Sequence, residues 1–119
     1  LIENTSHVEC LARKRRCHVF FDHLQGYYGV SSLESLSQGT PTIAALSAES
    51  RDRIADLTGT TDLPWVDALG PDRLEAELSS LILDSDRRRE VGRRSRLFME
   101  RYWHPSLVVN RLLVAYREL

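Results

Sequence analysis

The sequence lacks the features that mark membrane-spanning, disulfide-rich and zinc-binding proteins. None of its apolar runs approaches the roughly 18 residues that a membrane helix needs. Its first residues carry no signal-peptide pattern, since polar side chains interrupt them. There are two cysteines, Cys10 and Cys17, no CxxC motif, and four histidines without metal-ligand spacing. We therefore expect a cytoplasmic protein with free thiols and no metal site.

Charge of one sign is also lacking, because 16 basic residues face 17 acidic ones and the net charge is −1. Such a chain has no overall field that would hold it on nucleic acid, so no nucleic-acid partner is expected. With 42% hydrophobic and 28% charged residues, its 119 residues fit one globular domain. The chain starts at Leu1 and its one methionine is Met99, so we expect a fragment of a longer protein.

Strand-like and helix-like segments alternate along the chain, which predicts an α/β fold with a parallel sheet. The predicted strands are 17–22, 42–46 and 63–66, preceded by the tail of a strand at 1–3. The segment 17–22 is apolar along most of its length, as in a strand covered on both faces. Pro64 places the last strand at an edge. Helices are predicted at 5–16, 30–38 and 48–57, then from Pro71 onward with a break at 84–86.

The segment 17–45 has the order strand, loop, short helix, tight turn and strand. Gly29 stands at the helix entry, where the N–H groups of residues 29–31 have no partner within the helix. Together with the helix dipole, these groups suit a diphosphate without any metal. Glu34 follows one turn later, where its carboxylate can accept hydrogen bonds from the vicinal diol of a ribose.

The same segment resembles the donor-nucleotide region of GT-B glycosyltransferases of the large retaining family that uses nucleotide-sugars. The matching residues are Tyr28-Gly29-Val30, then Glu34, then Gly39-Thr40-Pro41-Thr42-Ile43. A subset of that family has a similar strand end and loop, here Asp22-His23 and Gly26-Tyr27-Tyr28-Gly29. The resemblance continues more weakly through LPWVDA to the terminal VVNRLLVAYREL and covers nearly all of the chain.

The resemblance implies a Rossmann-like sheet flanked by helices, forming the C-terminal part of a GT-B domain that is truncated at its N-terminal side. Residues 1–119 would then be one partial domain, with the site region at 1–70 and C-terminal helices at 71–119. Glu34 falls on the family's ribose-binding glutamate, and Gly29, Val30 and Ser31 on the backbone that holds the diphosphate. The donor would be a nucleotide-diphosphate sugar bound without metal, the acceptor stays open, and the isolated chain is expected to be inactive.

This chain departs from the family pattern at two positions. The family's first sugar-contacting glutamate is replaced by Gly26, and His23 stands where a glutamine is usual. Two alternatives therefore stay open, a nucleotide-sugar epimerase of the same architecture and a non-catalytic interaction module. Tyr27 either stacks on a base or sugar or packs under its own loop. Asp22 and His23 are expected to support the loop, Asp22 through backbone N–H groups.

Two surfaces suggest further partners. Six arginines fall within 87–96, where they either contact a membrane surface peripherally or pair with nearby acidic residues such as Asp84, Asp86, Glu90 and Glu100. The final helix carries apolar residues, among them Leu113 and Val114, that would be exposed in a fragment. Self-association through these residues is a further expectation.

Overall fold

The centre of the structure is a three-stranded parallel sheet. The computed structural model describes residues 4–119, so the strand tail predicted at 1–3 lies outside the described residues. The strands are β1 (Phe20–Phe21), β2 (Thr42–Ala44) and β3 (Val66–Asp67), in the order β1-β2-β3. The register pairs Phe20 with Thr42 and Ile43 with Val66. The predicted α/β class with a parallel sheet is confirmed.

Six helices surround this sheet in the described residues. They are α1 (His7–Lys14), α2 (Val30–Ser37), α3 (Ala48–Thr58), α4 (Pro71–Leu83), α5 (Ser85–Tyr102) and α6 (Pro105–Arg117). Their starts follow local rules, since the hydroxyl of Ser6 caps α1 and that of Ser47 caps α3. Gly39 and Gly59 follow α2 and α3 with φ of +73°, the left-handed conformation expected after a helix.

Helices cover both faces of the sheet. Successive side chains of β2 point in opposite directions, so this strand contributes to a core on each face. Ala44 belongs to a core with Leu36 of α2, Ile54 of α3, and the rings of Trp65 and Phe98. Ile43 belongs to a second core with Ala68 and Leu81 of α4. Trp65 and the half-buried Trp103 pack in the first of these cores.

The prediction that residues 17–22 form a strand buried on both faces is wrong. β1 contains only Phe20 and Phe21, and the Phe21 side chain is exposed. The reason is tertiary, since β1 lies at an edge of the described sheet and the central, fully buried strand is β2. The edge position predicted for the strand after Pro64 is confirmed, although β3 begins at Val66.

Two other boundaries differ from prediction. β2 ends at Ala44, and Leu46 forms only an isolated parallel bridge to Gly26. The break predicted at 84–86 is limited to Asp84, because its Oδ1 accepts hydrogen bonds from the N–H groups of Asp86 and Arg87 at 3.0 and 2.9 Å. These bonds cap α5, which therefore begins immediately after α4 ends.

α2 and α5 cross with their backbones in close contact. Gly92, in the middle of α5, lies against Gly39, which follows α2. An alanine Cβ at position 92 would lie less than 3.0 Å from the Gly39 carbonyl oxygen. Ser35 of α2 and Ser95 of α5 are fully buried. The approach of the two helices therefore depends on a residue without a side chain.

α6 exposes apolar residues along its whole length. None of its residues is buried, and the side chains of Leu112, Leu113 and Val114 are about half exposed. This is the exposure expected of the terminal helix, while self-association through it stays a prediction.

Candidate functional site

The candidate site lies where the loop after β1 leads into α2, at the carboxyl end of the strand. Asp22 follows β1 directly, and its Oδ2 accepts hydrogen bonds from the Gly29 N–H at 2.8 Å and the Ser32 hydroxyl at 2.7 Å. Ser32 is fully buried, so the carboxylate satisfies a hydroxyl that water does not reach. These bonds are the loop support expected of Asp22, and they fix the start of α2 relative to the sheet.

Gly26 ties the same loop to the start of α3. Its carbonyl accepts hydrogen bonds from the Ser47 N–H at 2.8 Å and the Ser50 hydroxyl at 2.7 Å. Its φ is +91°, and a Cβ built there would lie 3.3 Å from the Ser47 Cβ. Any side chain would be strained at this position. The loop conformation therefore requires the glycine at position 26, where the pattern that the sequence resembles has a glutamate.

The loop contains two neighbouring tyrosines, one exposed and one packed against the core. Tyr27 is 52% exposed, contacts the His23 ring at 4.2 Å, and donates a hydrogen bond to Gln25. Tyr28 packs on Trp65 with the ring centroids 5.0 Å apart, and burial raises the pKa of its phenol. Tyr28 thus has a packing role, whereas part of the Tyr27 ring is open to a ligand.

His23 lies beneath Tyr27 with both ring nitrogens shielded from solvent. Neither nitrogen has a hydrogen-bond partner among residues 4–119, and the nearest carboxylate oxygen to Nε2 is Asp22 Oδ2 at 3.8 Å. This distance is too long for a hydrogen bond. His23 therefore contributes ring contact to the loop, while the support role expected of it stays a prediction.

At the start of α2, one backbone N–H group donates to Asp22 and the next ones have no acceptor inside the helix. The Gly29 N–H is bonded to Asp22, which leaves Val30 and Ser31 as the first donors without an acceptor inside the helix. Val30 is 71% exposed, so this end of α2 is accessible. An alanine Cβ at Gly29 would make ordinary contacts of 3.6 Å with the Asp22 oxygens, and its φ of −100° suits any residue. Neither backbone conformation nor internal packing demands glycine at this position.

Glu34 lies one turn further along α2, four residues after the exposed Val30. Residues four apart share one face of a helix, so Glu34 lies on the same side of α2 as Val30, although α1 covers it and leaves its side chain 20% exposed. Its Oε1 accepts a hydrogen bond from His7 Nε2 at 2.7 Å, and its Oε2 from Lys14 Nζ at 2.5 Å. The Lys14 ammonium, and after it the His7 ring, holds the pKa of Glu34 below its ordinary value. The carboxylate is therefore ionised at neutral pH.

His7 and Lys14 were not predicted from the sequence to belong to this site. A signal was present, because residues seven apart are two turns apart and lie on the same face of a helix. α1 is further attached to α2 by the Gln38 side-chain amide, which donates to the Leu11 carbonyl at 3.2 Å. Helix periodicity shows that His7 and Lys14 share a face, but it does not show which helix that face contacts.

The six arginines of 87–96 all have partners within the protein. Arg87, Arg89, Arg93 and Arg94 pair with Glu77, Asp86, Glu90 and Asp62, and Arg96 pairs with Glu100. Arg88 donates to the carbonyls of Leu81 and Ile82 at the end of α4. These contacts agree with a helix paired to local groups. Peripheral membrane contact by these residues stays a prediction.

Residues 4–119 contain no group of three or more His, Cys, Asp or Glu side chains placed to hold a metal ion. Within the same range, none of the helices combines the length and apolar character that crossing a membrane requires. Comparison with known proteins adds no assignment: no protein-family model, no curated protein and no solved structure matches the chain.

Proposed function

We propose that this chain is the donor-binding segment of a glycosyltransferase and that it binds the nucleotide of a nucleotide-diphosphate sugar. The observation that carries the proposal is the first half of α2. The N–H groups of Val30 and Ser31, which have no acceptor inside the helix, and the ionised carboxylate of Glu34 lie on this one helix, about 6 Å apart along its axis. A nucleoside diphosphate presents its phosphates and its ribose diol at a comparable separation.

Each part of the ligand would be recognised by an ordinary interaction. The positive end of the helix dipole and the two N–H groups at the start of α2 suit phosphate oxygens. The ionised carboxylate accepts hydrogen bonds from hydroxyl groups, which are stronger than bonds between neutral groups. Tyr27 offers a half-exposed ring beside the loop for stacking on a base or sugar. No step of this binding requires a metal.

Asp22 sets a limit on how strongly the helix end binds an anion. Its carboxylate already occupies the Gly29 N–H and brings one negative charge to the start of α2. A diphosphate therefore needs more positive charge than this helix end supplies. In an enzyme that breaks a glycosyl–phosphate bond, cations stabilise the charge on the leaving diphosphate. We therefore expect the 119-residue chain to bind a nucleotide without transferring a sugar.

A non-catalytic interaction module is the second candidate, and Gly26 is the observation that favours it. The family's first glutamate contacts the sugar, whereas the positive φ of Gly26 and its closeness to Ser47 exclude an unstrained side chain at this position. A chain with this loop either recognises the sugar differently or no longer recognises one.

Calorimetric titration of the chain with UDP, GDP and ADP tests the proposal. We expect one of the three to bind, and Glu34→Ala to weaken it by about ten-fold or more. Ser37→Ala, at the far end of α2, is the matched control and should leave the affinity unchanged. Absence of binding by all three nucleotides would refute donor binding and favour the interaction module.

A further inference from the structure

We infer that Lys14 is a positioning residue for ribose recognition, which holds one oxygen of Glu34 so that the carboxylate faces a 2′,3′-diol. This inference rests on the proposed function, since it concerns how the Glu34 site recognises its ligand. It starts from the contact between Lys14 Nζ and Glu34 Oε2 at 2.5 Å, which joins side chains 20 residues apart on α1 and α2.

Lys14 is held more firmly than a surface lysine. Its side chain is 11% exposed, although lysine is among the residues least often buried. Its ammonium lies 5.2 Å from the centre of the Phe20 ring, within the range of a cation–π contact. Phe20 is part of β1. Lys14 therefore connects the Glu34 carboxylate to the edge strand of the sheet as well as to α1.

The contacts of Glu34 leave it able to bind a diol. An ionised carboxylate has about four acceptor positions, two on each oxygen. His7 takes one position on Oε1 and Lys14 takes one on Oε2, so each oxygen keeps one position. The Glu34 side chain is 20% exposed, which leaves a route to these positions. Two acceptors side by side match the two hydroxyls of a ribose.

The choice of lysine is itself informative, because all other basic residues in the chain, 15 in number, are arginine. An arginine guanidinium typically binds both oxygens of a carboxylate at once. At position 14 it would occupy the acceptors that a diol needs. An ammonium neutralises the carboxylate through one oxygen and leaves the other oxygen's remaining position unobstructed.

A purely structural ion pair predicts different behaviour. It would hold α1 on α2, and arginine would serve that purpose as well as lysine. The positioning role predicts instead that Lys14→Arg keeps the attachment of α1 but loses preference for a ribose over a 2′-deoxyribose. The two roles can therefore be separated by one conservative substitution.

The experiment measures the affinities of UDP, GDP and ADP and of their 2′-deoxy analogues for the 119-residue chain, together with thermal midpoints. We expect the original chain to prefer its ribonucleotide by about ten-fold or more. Lys14→Met and Lys14→Arg should each reduce this preference several-fold and leave the affinity for the 2′-deoxy analogue nearly unchanged. Lys14→Arg should also keep the thermal midpoint close to that of the original chain.

Arg94→Met is the matched control. It removes a tertiary ion pair with Asp62 that is also 2.5 Å long but lies away from α2, and it should not alter the preference. A Lys14→Arg variant that keeps the full preference would overturn the positioning role, as would a Lys14→Met variant that weakens both nucleotides equally. Both results would leave the proposed function intact. If the chain binds no nucleotide, both proposals are refuted. If it binds a ribonucleotide and its 2′-deoxy analogue equally well, diol recognition is refuted but diphosphate binding is not.

Discussion

Gly92→Ala tests whether the crossing of α2 and α5 holds the fold together. In the interior of a helix, this substitution ordinarily stabilises a protein by about 1 kcal/mol, because alanine restricts the unfolded chain and has the higher helix propensity. Here the new Cβ would lie less than 3.0 Å from the Gly39 carbonyl oxygen, whereas C···O contacts begin at about 3.3 Å. The backbone fixes the position of the Cβ, and the oxygen belongs to the backbone, so a side-chain rotation cannot relieve the clash.

The helices must move apart to accommodate the methyl group. This movement would loosen the contact that buries Ser35, Ser95 and Phe98. Overpacking of this kind typically costs about 1–3 kcal/mol and sometimes more. Because backbone rather than side chain must move, we expect a cost near the upper end of this range and a net loss of about 1–2 kcal/mol after the gain in helix propensity. For a chain of this size the thermal midpoint should fall by roughly 5 °C.

Urea denaturation followed by circular dichroism measures this loss. Ala76→Gly is the matched control, since Ala76 is an exposed residue inside α4. It reports the propensity effect alone, a loss of about 1 kcal/mol. If Gly92→Ala were as stable as the original chain or more stable, the close approach of α2 and α5 would be refuted.

Four further predictions concern the loop, the carboxylate and the last helix. Asp22→Ala should cost about 1.5–3 kcal/mol of unfolding free energy, because it leaves the buried Ser32 hydroxyl and the Gly29 N–H without their charged acceptor; chemical denaturation should show this loss, and an unchanged midpoint would contradict the role of Asp22. Gly26→Ala should cost about 1–2 kcal/mol in the same assay because φ there is positive, and a neutral result would mean that the loop tolerates a side chain. The difference in unfolding free energy between the original chain and Glu34→Gln should be complete above the ordinary glutamate pKa of 4.5 and vanish as pH falls through the lowered value. A difference that grows in acid would contradict a lowered pKa of Glu34. Leu113→Glu should reduce concentration-dependent association in sedimentation velocity, and a chain that is monomeric without the substitution would refute self-association through α6.

Much of the candidate site could be predicted from local sequence. Gly39 and Pro41 mark the end of α2, and Asp22 supports the loop as its place after an apolar strand suggested. The sequence did not reveal that Asp22 takes the Gly29 N–H from the proposed diphosphate donors, because this bond joins residues seven apart across a loop. Nor did it reveal His7 and Lys14, which reach Glu34 only once α1 lies on α2.

The sequence by itself determined which segments are helical and roughly where they begin and end, since caps and left-handed glycines act within about four residues of the chain. Periodicity and alternation were enough to predict a parallel sheet with helices around it. Tertiary structure alone decided that β2 is the central strand and that β1, predicted to be covered on both faces, lies at an edge of the described sheet. It also decided that Gly92 meets Gly39 and that Lys14 meets Glu34. The physical reason is that these pairs are distant in sequence, so their contact depends on how whole helices pack.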